Sequence, residues 1–133
     1  MTKQKSVGIT VLPEYIQSEG ISAVLDRVQD AGATQVTTSP YVMELADPTT
    51  GCREPPVDAG AGAVRLLDRP LWGSREVWVR TAPSFVPQRS IYEDLRYQPP
   101  EPNALTQAEG EIVQRFIAAA QTRGLQVYFQ VQA

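Results

Sequence analysis

The chain has 133 residues, 42% of them apolar, and a formal charge of −3. That length suits one domain, the apolar share suits a packed core rather than bulk disorder, and the acidic balance gives no electrostatic ground for a nucleic-acid partner. There is no histidine, and the lysines are Lys3 and Lys5 alone, which excludes a Ser-His-Asp triad, a Cys-His pair, a histidine-bound zinc and an interior Schiff-base lysine within these residues.

The run Ser6-Val7-Gly8-Ile9-Thr10-Val11-Leu12 predicts a strand ended by Pro13. Its apolar part is too short for a signal h-region or a membrane span, so no membrane partner is expected and a cytoplasmic location is the default. A helix is predicted over 19–31. Ser18 is its candidate cap, Ile21, Val24, Leu25 and Val28 form its apolar face, and Gly32 sits where a left-handed residue closes a helix. A second strand over 35–39 follows, ended by Pro40.

The stretch 41–104 differs in composition. It holds nine of the eleven prolines and six of the ten aromatic residues. Two strands are predicted in it, 63–67 and 75–81, joined through 70–74 with Gly73 in the turn. In the second, Val77 and Val79 should share one face, with Glu76, Trp78 and Arg80 on the other. The stretch is too long for a plain connection. Beyond it, Thr106 and Glu109 form a capping box for a helix whose apolar face is Ile112, Val113, Phe116, Ile117 and Ala120, closed by Gly124. A last strand, 125–131, points Val127, Phe129 and Val131 one way and Tyr128, Gln130 and Gln132 the other.

Strand, helix and strand, given twice, predict three parallel strands in chain order along one sheet, with right-handed crossovers. The fold class expected is α/β: a single domain over 1–133, forming part of a TIM-type (β/α)₈ barrel, with three parallel strands, two helices and an inserted hairpin excursion at 41–104. A full barrel takes about 250 residues, so the chain is expected to be its opening portion. A small three-layer domain, with the hairpin joined to the parallel strands in one mixed sheet, is the alternative. The open edge of the last strand predicts self-association, or cover by a further barrel segment.

The run Glu111-Ile112-Val113-Gln114-Arg115-Phe116-Ile117-Ala118-Ala119-Ala120-Gln121-Thr122-Arg123-Gly124-Leu125-Gln126-Val127-Tyr128-Phe129-Gln130-Val131-Gln132 resembles an early α/β unit of glycoside-hydrolase-like barrels, bacterial proteins of largely uncharacterised function. The opening Val7-Gly8-Ile9-Thr10 and the segment Trp78-Val79-Arg80-Thr81 fit the same picture. The resemblance implies carbohydrate as the ligand class and two carboxylates as catalysts, placed at the ends of later strands. No motif carries a catalytic residue over to this chain.

Read from the residues, Glu14 follows the first strand and Glu44 lies just beyond the second, which makes them the candidate catalytic pair. Glycoside cleavage needs one carboxyl protonated and the other ionised, roughly 5 to 9.5 Å apart. Trp72 and Trp78 are candidate stacking platforms for sugar rings, and Arg80 could bind a carboxylate or hydroxyls or pair with Glu76. Tyr128, Gln130 and Gln132 could donate hydrogen bonds to a ligand in a barrel interior. Cys52 is the only cysteine and has no histidine base, while Gly60 and Gly62 lack the Lys and Ser/Thr of a phosphate loop. No cofactor or metal is expected. Three functional readings follow: part of a carbohydrate-active barrel without glycosidase activity of its own, a non-catalytic carbohydrate- or protein-binding module, or part of a sugar isomerase or epimerase barrel with metal ligands elsewhere.

Overall fold

The structure, a computed structural model, describes residues 5–54, 72 and 77–131. The predicted strand at 63–67, its turn and Gln132 lie outside the described residues. Two three-stranded sheets are present, one parallel and one antiparallel. The fold is therefore mixed α/β, and the parallel sheet does not close on itself.

The parallel sheet holds β1 (Gly8–Thr10), β2 (Gln35–Thr38) and the last strand, β6 (Gln126–Phe129), in the order β1-β2-β6. Ile9 lies beside Val36, and Val36 beside Val127, so both pairings are parallel and in register, as the sequence pattern predicts. Helices cover one face. Val36 packs there with Ile16, Leu25 and Phe116, each 0% exposed, in the main core. Burying a side chain of this size contributes about 1.5–3 kcal/mol relative to leaving it in water. The other face carries Thr10, Gln35, Thr37, Gln126 and Tyr128, whose positions alternate with the buried ones. Gln35 Nε2 donates to Gln126 Oε1 at 3.0 Å, and the Tyr128 hydroxyl donates to the same oxygen at 3.3 Å.

The helix predicted over 19–31 is present, and a further helix that the sequence pattern does not predict precedes it. The first, α1 (Pro13–Glu19), begins on Pro13, whose fixed φ suits a first helical position. The second is α2 (Ile21–Asp30). Gly20 divides them at φ +88°, a conformation that costs other L residues free energy. Its N–H closes α1 on the Ile16 carbonyl, and its own carbonyl accepts from Val24 N–H in α2. Ser18 lies inside α1 and caps nothing. Near the other end, α3 (Ala104–Glu109) and α4 (Glu111–Thr122) replace the single predicted helix. Asn103 Oδ1, rather than Thr106, is the cap: it accepts from Thr106 N–H at 2.9 Å. Gly110 separates the two helices where a Cβ would come within 2.5 Å of the Ser84 carbonyl oxygen.

Among the described residues the excursion forms a three-stranded sheet. Its strands are β3 (Tyr41–Leu45), β4 (Cys52–Glu54) and β5 (Val77–Pro83), with β5 in the centre and both neighbours antiparallel to it. The alternation predicted for β5 holds, with Val77 and Val79 buried and Trp78 and Arg80 exposed. One face of this sheet packs Val42 and Ala82 against Leu105 and Val113, and the other gathers Met43, Val77 and Val79. The free edge of β3 is closed by a side chain. Gln17 Oε1 accepts from Met43 N–H, and Gln17 Nε2 donates to the Met43 carbonyl, both at 2.8 Å. The amide thus takes the place of a neighbouring strand and joins α1 to the second sheet.

Candidate functional site

Parallel strands offer ligands their C-terminal ends, where the following loops converge. Here the backbone pairing runs on past the strands themselves: Val11 N–H donates to Thr37 O, and Gln130 N–H to Thr38 O, both at 2.8 Å. This holds Leu12, Ser39 and Gln130 at one rim. The rim opens onto a groove of about 780 Å³. Glu14 and Tyr41 lie in its wall, and Thr81, Ala82 and Pro83 of β5, with Phe85 beyond them, form the side contributed by the antiparallel sheet.

Glu14 is the unusual group. It occupies the first turn of α1, and it is 1% exposed. A carboxylate at that depth loses its hydration, and desolvation raises its pKa above the ordinary 4.5, against the opposing effect of a hydrogen bond from Tyr41 and one from its own backbone. The Tyr41 hydroxyl donates to Glu14 Oε2 at 2.7 Å. Glu14 and Gln17 are three residues apart on α1, so they share a helix face, and both reach β3. Thr38, next to the rim, is fully buried, and its hydroxyl has no hydrogen-bond partner among the described residues.

Glu44 is placed differently from the expectation. It lies within β3 rather than in a loop beyond β2, and it stands opposite Arg80 across the β3–β5 pairing. Its Oε1 is 2.9 Å from Arg80 Nη2, and both side chains are about half exposed. A register pair of opposite charges accounts for this bridge, and Arg80 is thereby engaged by Glu44; Glu76 lies outside the described residues. Glu44 lines a second, smaller groove of about 440 Å³ with Gln17, Trp72 and Glu109. Glu14 is not part of that groove, and Glu44 is not part of the larger one. The two acids therefore do not face one ligand site.

Trp72 is half-buried against the Met43-Val77-Val79 cluster, with φ +46°, and its backbone N–H donates to Ser18 Oγ at 3.4 Å. Trp78 is exposed on β5 opposite Arg53 of β4, on the same side of the sheet as Arg80. Tyr128 belongs to the open polar face of the parallel sheet, and Gln130 lines the larger groove. Of the predicted residues, the larger groove brings Glu14 and Gln130 together, while Glu44 stands with Trp72 in the smaller groove and with Arg80 in an ion pair. Tyr41 and Phe85 complete the larger groove and carry no motif. The signal available for Tyr41 was its position, directly after the Pro40 that ends β2, at the rim where site residues gather. Cys52 is exposed and free. No group of three or more His, Cys, Asp and Glu residues among the described residues is placed to hold a metal ion, and no described helix is long and apolar enough to cross a membrane. Comparison with family models, with curated proteins and with solved structures finds no match.

Proposed function

We propose that the chain is the opening portion of a glycoside-hydrolase-like (β/α)₈ barrel whose rim binds carbohydrate, with Glu14 as the carboxyl group that offers a proton to the ligand. The observation that carries this reading is the buried Glu14, bonded to Tyr41, in a groove at the C-terminal ends of three parallel strands. Two features of the fold support it. The strands advance in one direction, β1-β2-β6, and the covering helices contribute to one core on one face of the sheet. A doubly wound sheet reverses its strand order and places helices on both faces, whereas a barrel does neither. The open face is lined by Thr, Gln and Tyr, side chains suited to a polar barrel interior.

Hydrolysis requires a second carboxyl facing the first across the scissile bond. Glu44 does not supply it, because it lines the other groove in an ion pair with Arg80. On this reading the chain binds sugar and contributes one acid, and a later strand supplies the other. The same separation favours a second reading, a carbohydrate-binding module without catalysis.

Both readings are tested by saturation-transfer NMR with cello-, malto- and laminaritetraose, alongside an assay on aryl glycosides. Binding without turnover is expected, with Glu14→Gln weakening the binding while circular dichroism stays unchanged. Turnover by the intact chain that survives in Glu14→Gln would remove the assigned role of Glu14. Absence of transfer from every oligosaccharide would remove carbohydrate as the ligand class.

A further inference from the structure

We infer that Phe85 is the stacking platform of the larger groove and that the sugar it receives is uncharged. The inference rests on the carbohydrate reading and deepens it, by naming the residue that holds the ring face and the charge class admitted.

Phe85 is 48% exposed, and it belongs to none of the apolar clusters that build the cores. An exposed aromatic on a loose loop would be unremarkable, but the backbone before this one is fixed on both sides. Ser84 N–H donates to the Pro40 carbonyl at 3.1 Å, which ties it to the turn after β2. The Ser84 carbonyl lies against Gly110, closely enough that an added Cβ would fall 2.5 Å from its oxygen. The ring is therefore presented to the groove from an anchored backbone, with its own side chain left uncovered. Sugar C–H faces pack on such rings, whose apolar face offers contact area without a polar group to desolvate.

The remaining wall selects charge. Hydroxyl and amide groups are available from Ser39, Thr81 and Gln130, which suit the hydroxyls of a sugar edge. Glu14 is the carboxyl in this wall, and no arginine or lysine is among the described residues that line it. A uronate or sugar phosphate would bring its negative charge to a wall with no described basic side chain to pair with it, and would have to shed its hydration against Pro40, Met43 and Pro83. A neutral hexose meets neither cost. Trp72 and Trp78, the aromatic residues that stand out in the sequence, do not line this groove.

The test compares cello-, malto- and laminaritetraose with the same oligomers oxidised at C6 to uronates, titrated against the intact chain at neutral pH. Neutral members should bind about tenfold more tightly than their oxidised counterparts. Phe85→Ala should weaken neutral binding by about fivefold or more, and Phe85→Trp should retain it and report binding through its own fluorescence. Circular dichroism of both variants should match the parent, since the ring lies outside the cores. Uronates binding as tightly as neutral oligomers would overturn the charge class while leaving carbohydrate as the ligand. Unchanged binding in Phe85→Ala would overturn the platform. Failure of all six oligomers to bind would overturn this inference together with the carbohydrate reading.

Discussion

The two sheets are held by different means. The parallel sheet rests on a continuous apolar core in which Ile16, Leu25, Val36 and Phe116 are wholly buried. The antiparallel sheet has two smaller clusters, one on each face, and carries the exposed Trp78 and Arg80. On the α1 side its attachment is polar, through the amide fork from Gln17 to Met43 and the hydrogen bond between Tyr41 and Glu14. Burying polar groups costs free energy unless their partners are in place, so such groups are concentrated where they are needed for orientation. At this junction they are concentrated on one face of α1, and the larger groove opens beside them.

The largest effect expected from a single change falls on the apolar side of this comparison. Phe116→Ala empties a fully enclosed position that joins α4 to α2 and to β2, and it should lower stability by about 3–5 kcal/mol. Denaturant unfolding followed by far-ultraviolet circular dichroism would measure it. A loss below about 1 kcal/mol would mean that the parallel unit does not depend on this core.

A smaller and more local effect is expected at the polar attachment. Gln17→Ala leaves the N–H and carbonyl of Met43 without the amide that satisfies them, at a cost of about 1–3 kcal/mol for buried groups. Hydrogen exchange should then quicken at Met43 and along β3, while the amides of β2 keep their protection. Equal acceleration in both strands would show that the two sheets unfold as one unit, and the contrast between them would disappear.

The same division governs how much the sequence reveals. The parallel unit is legible because its signals are local. Helical spacing of Val24, Leu25 and Val28 marks the buried face, and Gly32 and Gly124, at φ +78° and +81°, mark the drops into β2 and β6. Helix α1 is not legible, because Pro13 reads as the end of a strand, and neither are the breaks at Gly20 and Gly110, since a glycine beside or within an apolar periodicity reads as a tolerated interruption. What divides the helices there is a left-handed φ in one case and the approach of Ser84 in the other. Of the antiparallel sheet, β5 is legible from its alternation, but its pairing is not. β3 follows Pro40 almost without interruption, and its partner β5 begins more than thirty positions later, a pairing that no local pattern states. Placing Glu44 in a loop followed from missing β3. Glu14 was visible as an acid after a strand, but its burial depends on Tyr41, whose place is set by that same unforeseen strand.

The smallest effect expected is also the most specific to the site. Burial holds the Glu14 pKa above 4.5, so the folded protein binds a proton more tightly at this group than the unfolded chain does. The associated stabilisation is full below about pH 4.5 and is lost as pH rises through the folded pKa, with a slope of at most about 1.4 kcal/mol per pH unit from one carboxyl. Asp47 works in the opposite direction. Hydrogen bonds from Thr49 lower its pKa, giving stability that is lost as the solution is acidified. Asp47 is fully exposed and remote in sequence from the substitution, so its contribution is common to the parent and to Glu14→Gln and cancels in their difference. That difference should therefore isolate Glu14. The amide keeps an oxygen to accept from Tyr41 but cannot ionise, so Glu14→Gln should gain stability relative to the parent as pH is raised from 4 to 8. Chemical denaturation at half-unit pH steps would record it. Two parallel profiles would mean that Glu14 ionises as freely in the folded protein as in the unfolded chain, and would withdraw the proton-donating role assigned to it at the rim.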